Sequence, residues 1–147
     1  MFASLPRPLV LLGLAGLAPQ AICLVMALQS GANHWFAIAA ACCYAAVILS
    51  FLGGMWWMAG ALAGLREAWV YMLAILPSLA AWAALLPWCV GWTWPGPSLV
   101  VLGLLLLASP FADATLARHV ALPQGWLALR WTMAGCLALL TLAIAAV

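Results

Sequence analysis

Asp113 is the one carboxylate of this 147-residue sequence that stands within a long apolar stretch, just after Ser109, Pro110 and Phe111. An ionised acid in apolar surroundings is costly unless it is paired, so such a residue is a functional candidate from the start. Two cations are within reach along the chain: Arg130, at the head of the last apolar run, and Arg118 in the connection before it. The chemistry on offer is therefore an ion pair of Asp113 with Arg130 or Arg118, or else a ligand or proton site. The other acid, Glu67, follows Arg66 directly and reads as half of a charge pair in a connection.

Other reactive types are sparse. His34 and His119 fall in different connections, and a lone imidazole without further His, Cys or acid nearby makes a poor zinc or copper site. No metal ligand set is expected. The five cysteines contain no C-x-x-C pair, and Cys23, Cys42, Cys43 and Cys136 sit inside apolar runs, where a thiol behaves as a small inert hydrophobe. Cys89 alone falls near the end of a run. No nucleophile with an adjacent base, no paired carboxylates, no phosphate loop and no zinc-protease helix occur in the sequence. The chain is expected not to be an enzyme and to carry no cofactor.

The elements that must position these groups are helices in a lipid solvent. Of the residues, 71% are hydrophobic and 4% charged, with a mean hydropathy of +1.27, whereas a water-soluble domain carries about a quarter charged residues. A span needs roughly 20 apolar residues. The apolar runs predict five transmembrane helices in a single all-α domain over 1–147, at about 9–28, 35–58, 69–88, 97–113 and 127–147. The first run resembles a signal peptide in having Arg7 ahead of it, but its length and Pro19 point to a retained helix. A net charge of +2 is too small to grip nucleic acid through its phosphates.

Five spans place Arg7, Arg66, Arg118 and Arg130 on one side and leave the other side with no Lys or Arg. That asymmetry predicts the N-terminus in the cytoplasm and the C-terminus outside, in the inner membrane of a bacterium. The chain is rich in tryptophan, a residue enriched at membrane boundaries. Trp35, Trp88, Trp92 and Trp94 fall at the outer boundary; Trp56, Trp57, Trp69, Trp126 and Trp131 fall at or near the inner one. Trp82 alone lies deep in a span.

The second run contains SFLGGMWW, residues 50–57. Ala46, Ser50 and Gly54 recur every four residues, and with Gly53 they form a smooth stripe that lets two helices approach closely in lipid. Apolar character persists from Trp35 to Leu65, roughly 46 Å of helix, so the run either bends at Gly53 and Gly54 or tilts as one helix. YAAVILSFLGGMWW at Tyr44–Trp57, LPSLAAW at Leu76–Trp82 and PQGWLALR at Pro123–Arg130 resemble the blocks of an uncharacterised family. Its members are small multi-pass inner-membrane proteins of bacteria and mitochondria. The resemblance implies a multi-pass membrane fold and brings no activity with it; Trp56 departs from the small or polar residue expected before Trp57.

Two functional classes follow. The first is an accessory or assembly protein that binds other membrane helices, in a homo-oligomer or a complex, through Ala46, Ser50, Gly53 and Gly54. The second is a binder or transporter of a small apolar molecule or lipid, with Tyr44, Trp57 and Trp82 lining a cavity. Pro19, Pro77 and Pro110 each fall inside a span and release the carbonyls of Ala15, Leu73 and Leu106. Broken helices of this kind either hold ligands or are simple kinks whose neighbours satisfy the freed groups.

Overall fold

The computed structural model describes residues 5–29, 31–91 and 95–147, so the expected boundary residues Trp92 and Trp94 lie outside the described residues. Among the described residues six helices follow in order: α1 Arg7–Ala15, α2 Ala18–Ala27, α3 Ala32–Leu62, α4 Ala68–Cys89, α5 Gly96–Leu116 and α6 Trp126–Ala145. No strand occurs among the described residues. α1 and α2 together form one span, Arg7–Ala27, and with α3 to α6 make five helices long and apolar enough to cross a membrane. The chain is thus an all-α, multi-pass membrane protein.

The first span breaks at Gly16 and Leu17, just ahead of Pro19, which has no N–H to return to the Ala15 carbonyl. The Leu17 N–H turns back to Leu14 at 3.0 Å instead. From α3, the Tyr44 hydroxyl donates to the Gly16 carbonyl at 2.5 Å. At the far end of α2, His34 Nδ1 lies 2.7 Å from the Ala27 carbonyl. A carbonyl only accepts, so this nitrogen carries the proton.

α3 is the central element and packs against α2, α4, α5 and α6. It runs 31 residues as one continuous helix through Gly53 and Gly54. Gly64 ends it with φ +69°, a conformation that costs a side chain more than it costs glycine. There the Gly64 N–H bonds to Ala61 and the Leu65 N–H to Gly60, each at 3.1 Å, the paired bonds of a Schellman stop.

Close helix contact replaces the hydrophobic effect as the organising force in lipid. A Cβ on Gly53 would run into the carbonyl oxygen of Ala74 on α4, and one on Gly60 would stand 2.6 Å from Val70 Cγ1. α5 and α6 meet in the same way, with Gly103 against Leu142. The inward stripe of α3 runs Ala46, Leu49, Gly53, Trp56 and Gly60, the alternating steps of three and four that follow a 3.6-residue turn. α4 answers with Val70, Ala74, Pro77, Ala81 and Ala84.

Candidate functional site

At the Leu62 end of the bundle, four polar side chains meet inside the apolar interior. Arg130, four residues into α6, donates through Nε to Asp113 Oδ2 at 2.8 Å. The Trp56 indole N–H reaches the other carboxylate oxygen, Oδ1, from α3 at 2.9 Å. Arg130 Nη2 stands 3.4 Å from Ser109 Oγ. Ser109 gives its own proton to the Leu106 carbonyl at 2.8 Å, the group that Pro110 leaves free by lacking an N–H. All four residues are buried. The cluster joins α3, α5 and α6, and each carboxylate oxygen has a donor, which is what a buried ion pair requires to offset its desolvation.

A partly open cavity of about 200 Å³ lies beside this cluster, bordered by α1, α3, α5 and α6. Its walls are apolar: Leu9 and Leu17 from the first span, Phe51 and Met55 from α3, Met133 and Leu137 from α6. Arg130 and Ser109 supply the polar exceptions. On the other side of the cluster a second apolar space of about 140 Å³, between α3, α4 and α5, is also lined by Ser109, together with Trp56 and Pro77.

The tryptophans and tyrosine expected to line a cavity stand elsewhere. Trp82 is 62% exposed and Trp57 45% exposed. Each sits one residue, about 100° of helix turn, beyond an inward-facing neighbour, Ala81 or Trp56. Trp57 packs edge-on against Tyr71. Tyr44 is half-buried and spends its hydroxyl on Gly16, itself a cavity residue. Trp56, expected at or near the inner boundary, is 4% exposed and belongs to the polar cluster at the Leu62 end.

The small-residue stripe divides. Ala46 and Gly53 face the bundle, whereas Ser50 and Gly54 are exposed, and nothing lies within 4 Å of a Cβ built on Gly54. A strict four-residue repeat drifts by about 40° per step around a helix, which carries Ser50 and Gly54 off the packed face. Glu67 accepts the backbone N–H of Arg66 at 3.0 Å. All five cysteines are free, with Cys42 buried and Cys43, Cys89 and Cys136 exposed.

One buried contact escapes a reading by charge alone. Gln20 is fully buried on α2, and its Nε2 donates to Thr141 Oγ1 on α6 at 2.9 Å. Thr141 in turn donates to Leu137 at 2.8 Å. Gln20 Oε1 has no partner among the described residues. The sequence signal was an uncharged amide in the middle of an apolar run, since polar side chains inside spans commonly bond across helices.

A family model described as "Protein of unknown function (DUF3429)" matches residues 5–147. No curated protein and no solved structure matches the chain.

Proposed function

The chain belongs to the DUF3429 family, and from its geometry we propose that it is a non-catalytic protein of the bacterial inner membrane, N-terminus in, which binds a small apolar molecule or a lipid chain. The observation that carries this reading is the apolar cavity of about 200 Å³ beneath α1. Apolar cavities of about 150 Å³ in protein interiors stay dry and take up apolar guests. The α1 wall is lightly held, for none of its residues is buried. The four arginines of the Arg66 side support the orientation. Neither a cofactor nor nucleic acid belongs to this reading.

The test is native mass spectrometry of the protein released from mild detergent, comparing the natural chain with Gly13→Leu. A Cβ at Gly13 meets only the flexible end of Met133, at 3.1 Å from Sδ, so a leucine there fills the cavity without meeting backbone. The expected result is an apolar molecule retained at one per chain and lost in Gly13→Leu, with the melting temperature kept. A natural chain that retains nothing, or a variant that retains as much, overturns the reading.

A second reading is favoured by the exposed Ser50 and Gly54, an open, smooth strip on the outside of α3. Another membrane helix, from a second copy or a different protein, would seat there. A homo-oligomer or a stoichiometric partner lost in Gly54→Leu supports that role; an unchanged assembly state removes it.

A further inference from the structure

Arg130 gives the cavity a polarity that its apolar walls do not have. A guanidinium carries five N–H groups. Asp113 takes the Nε proton, and Ser109 takes one from Nη2 at the long distance of 3.4 Å. The ion pair is therefore end-on through Nε, and the terminal nitrogens keep three N–H groups with no acceptor among the described residues. Asp113 has nothing further to offer, because Trp56 holds its second oxygen. The side chain is 6% exposed and lines the cavity. These donors belong to a side chain that lines the cavity, so an oxygen atom standing there beside Arg130 gains charge-assisted hydrogen bonds that the apolar walls do not offer.

The charge of that oxygen is decided by the pair already present. Asp113 and Arg130 neutralise each other, so an anionic head beside Arg130 would add a net negative charge to an apolar, partly enclosed space, with a desolvation cost that the already paired guanidinium does not offset. A neutral oxygen takes the spare N–H groups without that cost. The apolar lining then continues along α6 through Met133 and Leu137 and ends one helix turn short of Thr141, where Gln20 closes the row.

We infer that the occupant of this cavity is a neutral amphiphile, whose carbonyl or hydroxyl oxygen accepts from Arg130 while its apolar chain lies along Met133 and Leu137 towards Gly16 and Leu17. The inference rests on the binding reading above. Two sources share this chemistry: the ester carbonyl of a bilayer lipid, and a free neutral molecule such as a ketone or a quinone.

The experiment titrates delipidated protein in detergent with three probes of equal chain length: decane, 2-decanone and decanoate. The expected order is 2-decanone at least tenfold tighter than either of the others, with Gly13→Leu abolishing all binding. The carbonyl stretch of bound 2-decanone also shifts to lower frequency than in the empty micelle. That shift disappears in the double variant Asp113→Asn/Arg130→Gln, which removes both charges together. Decane binding as tightly as 2-decanone, or decanoate binding tightest, overturns the neutral-oxygen inference and leaves the binding reading standing. Failure of all three to bind overturns both. Before delipidation, a phospholipid carried at one per chain and displaced by 2-decanone identifies the ester carbonyl as the natural source. 2-Decanone binding without a retained phospholipid identifies a free neutral molecule.

Discussion

Gly53 of α3 faces the backbone of Ala74 on α4 so closely that a single added methyl would enter the Ala74 carbonyl oxygen. Its neighbour Gly54 meets nothing within 4 Å. Gly53→Ala should therefore lower unfolding stability in detergent by about 1–3 kcal/mol, the usual cost of overpacking a tight contact. Gly54→Ala should be neutral or slightly stabilising, since alanine is the better helix former. Equal melting temperatures for the two variants would show that α3 and α4 are not in this register.

The Asp113–Arg130 pair should behave as a unit. Asp113→Asn leaves the buried guanidinium uncompensated and should cost about 3–5 kcal/mol. The double variant with Arg130→Gln should recover much of that loss, because an amide pair carries no buried charge. Trp56→Phe, which removes the donor to Oδ1, should cost about 1–3 kcal/mol. A double-mutant cycle by denaturant unfolding measures the coupling, and strictly additive losses would argue against the pair.

Gln20 reverses the usual expectation for a buried hydrogen bond. Its Oε1 has no partner among the described residues, so Gln20→Met, of similar size, removes an unsatisfied oxygen along with one bond. Thermal unfolding should show it unchanged or more stable. Thr141→Val does the opposite, leaving the Gln20 amide with no partner at either end, and should lose about 1–3 kcal/mol.

Cysteine labelling reads the orientation. Cys89 closes α4 at the end away from Arg66 and is exposed, whereas Cys42 is fully buried. A membrane-impermeant maleimide should modify Cys89 from outside intact cells and leave Cys42 untouched. Modification of Cys89 only after the cells are opened would invert the proposed topology.

Spans were legible because their signal is length and apolarity, both of which survive in a bare sequence. The faces of those spans were not. In lipid the outward side of a helix is as apolar as the inward side, so no amphipathic stripe separates Ala81 from Trp82 or Trp56 from Trp57. The large aromatic side chain of Trp82 suggested a lining role, yet it points away from the bundle. Asp113 and Arg130 needed no face assignment, because a charge in a span must turn inward to find a partner. Gln20 carries no charge and offered only the weaker signal of a polar amide inside an apolar run. That it would meet Thr141, 121 residues away, depends on packing α2 against α6 and lies beyond any local pattern.

Helix α3, with 31 residues, rises about 46 Å, while α6, with 20, rises about 30 Å, close to the hydrocarbon thickness of a bilayer. The Gly53–Ala74 and Gly60–Val70 contacts fix the antiparallel register, which brings Cys89 level with the stretch from Ile38 to Ala41. Most of the surplus length therefore emerges at the Ala32 end, where Trp35 and Phe36 are exposed. A thick bilayer would wet these rings with acyl chain and a thin one would strand them among headgroups, at a mismatch cost of fractions of a kcal/mol per ångström. The unequal lengths should therefore bias the protein towards thicker bilayers, and equal partitioning between thick and thin lipid phases would contradict that expectation.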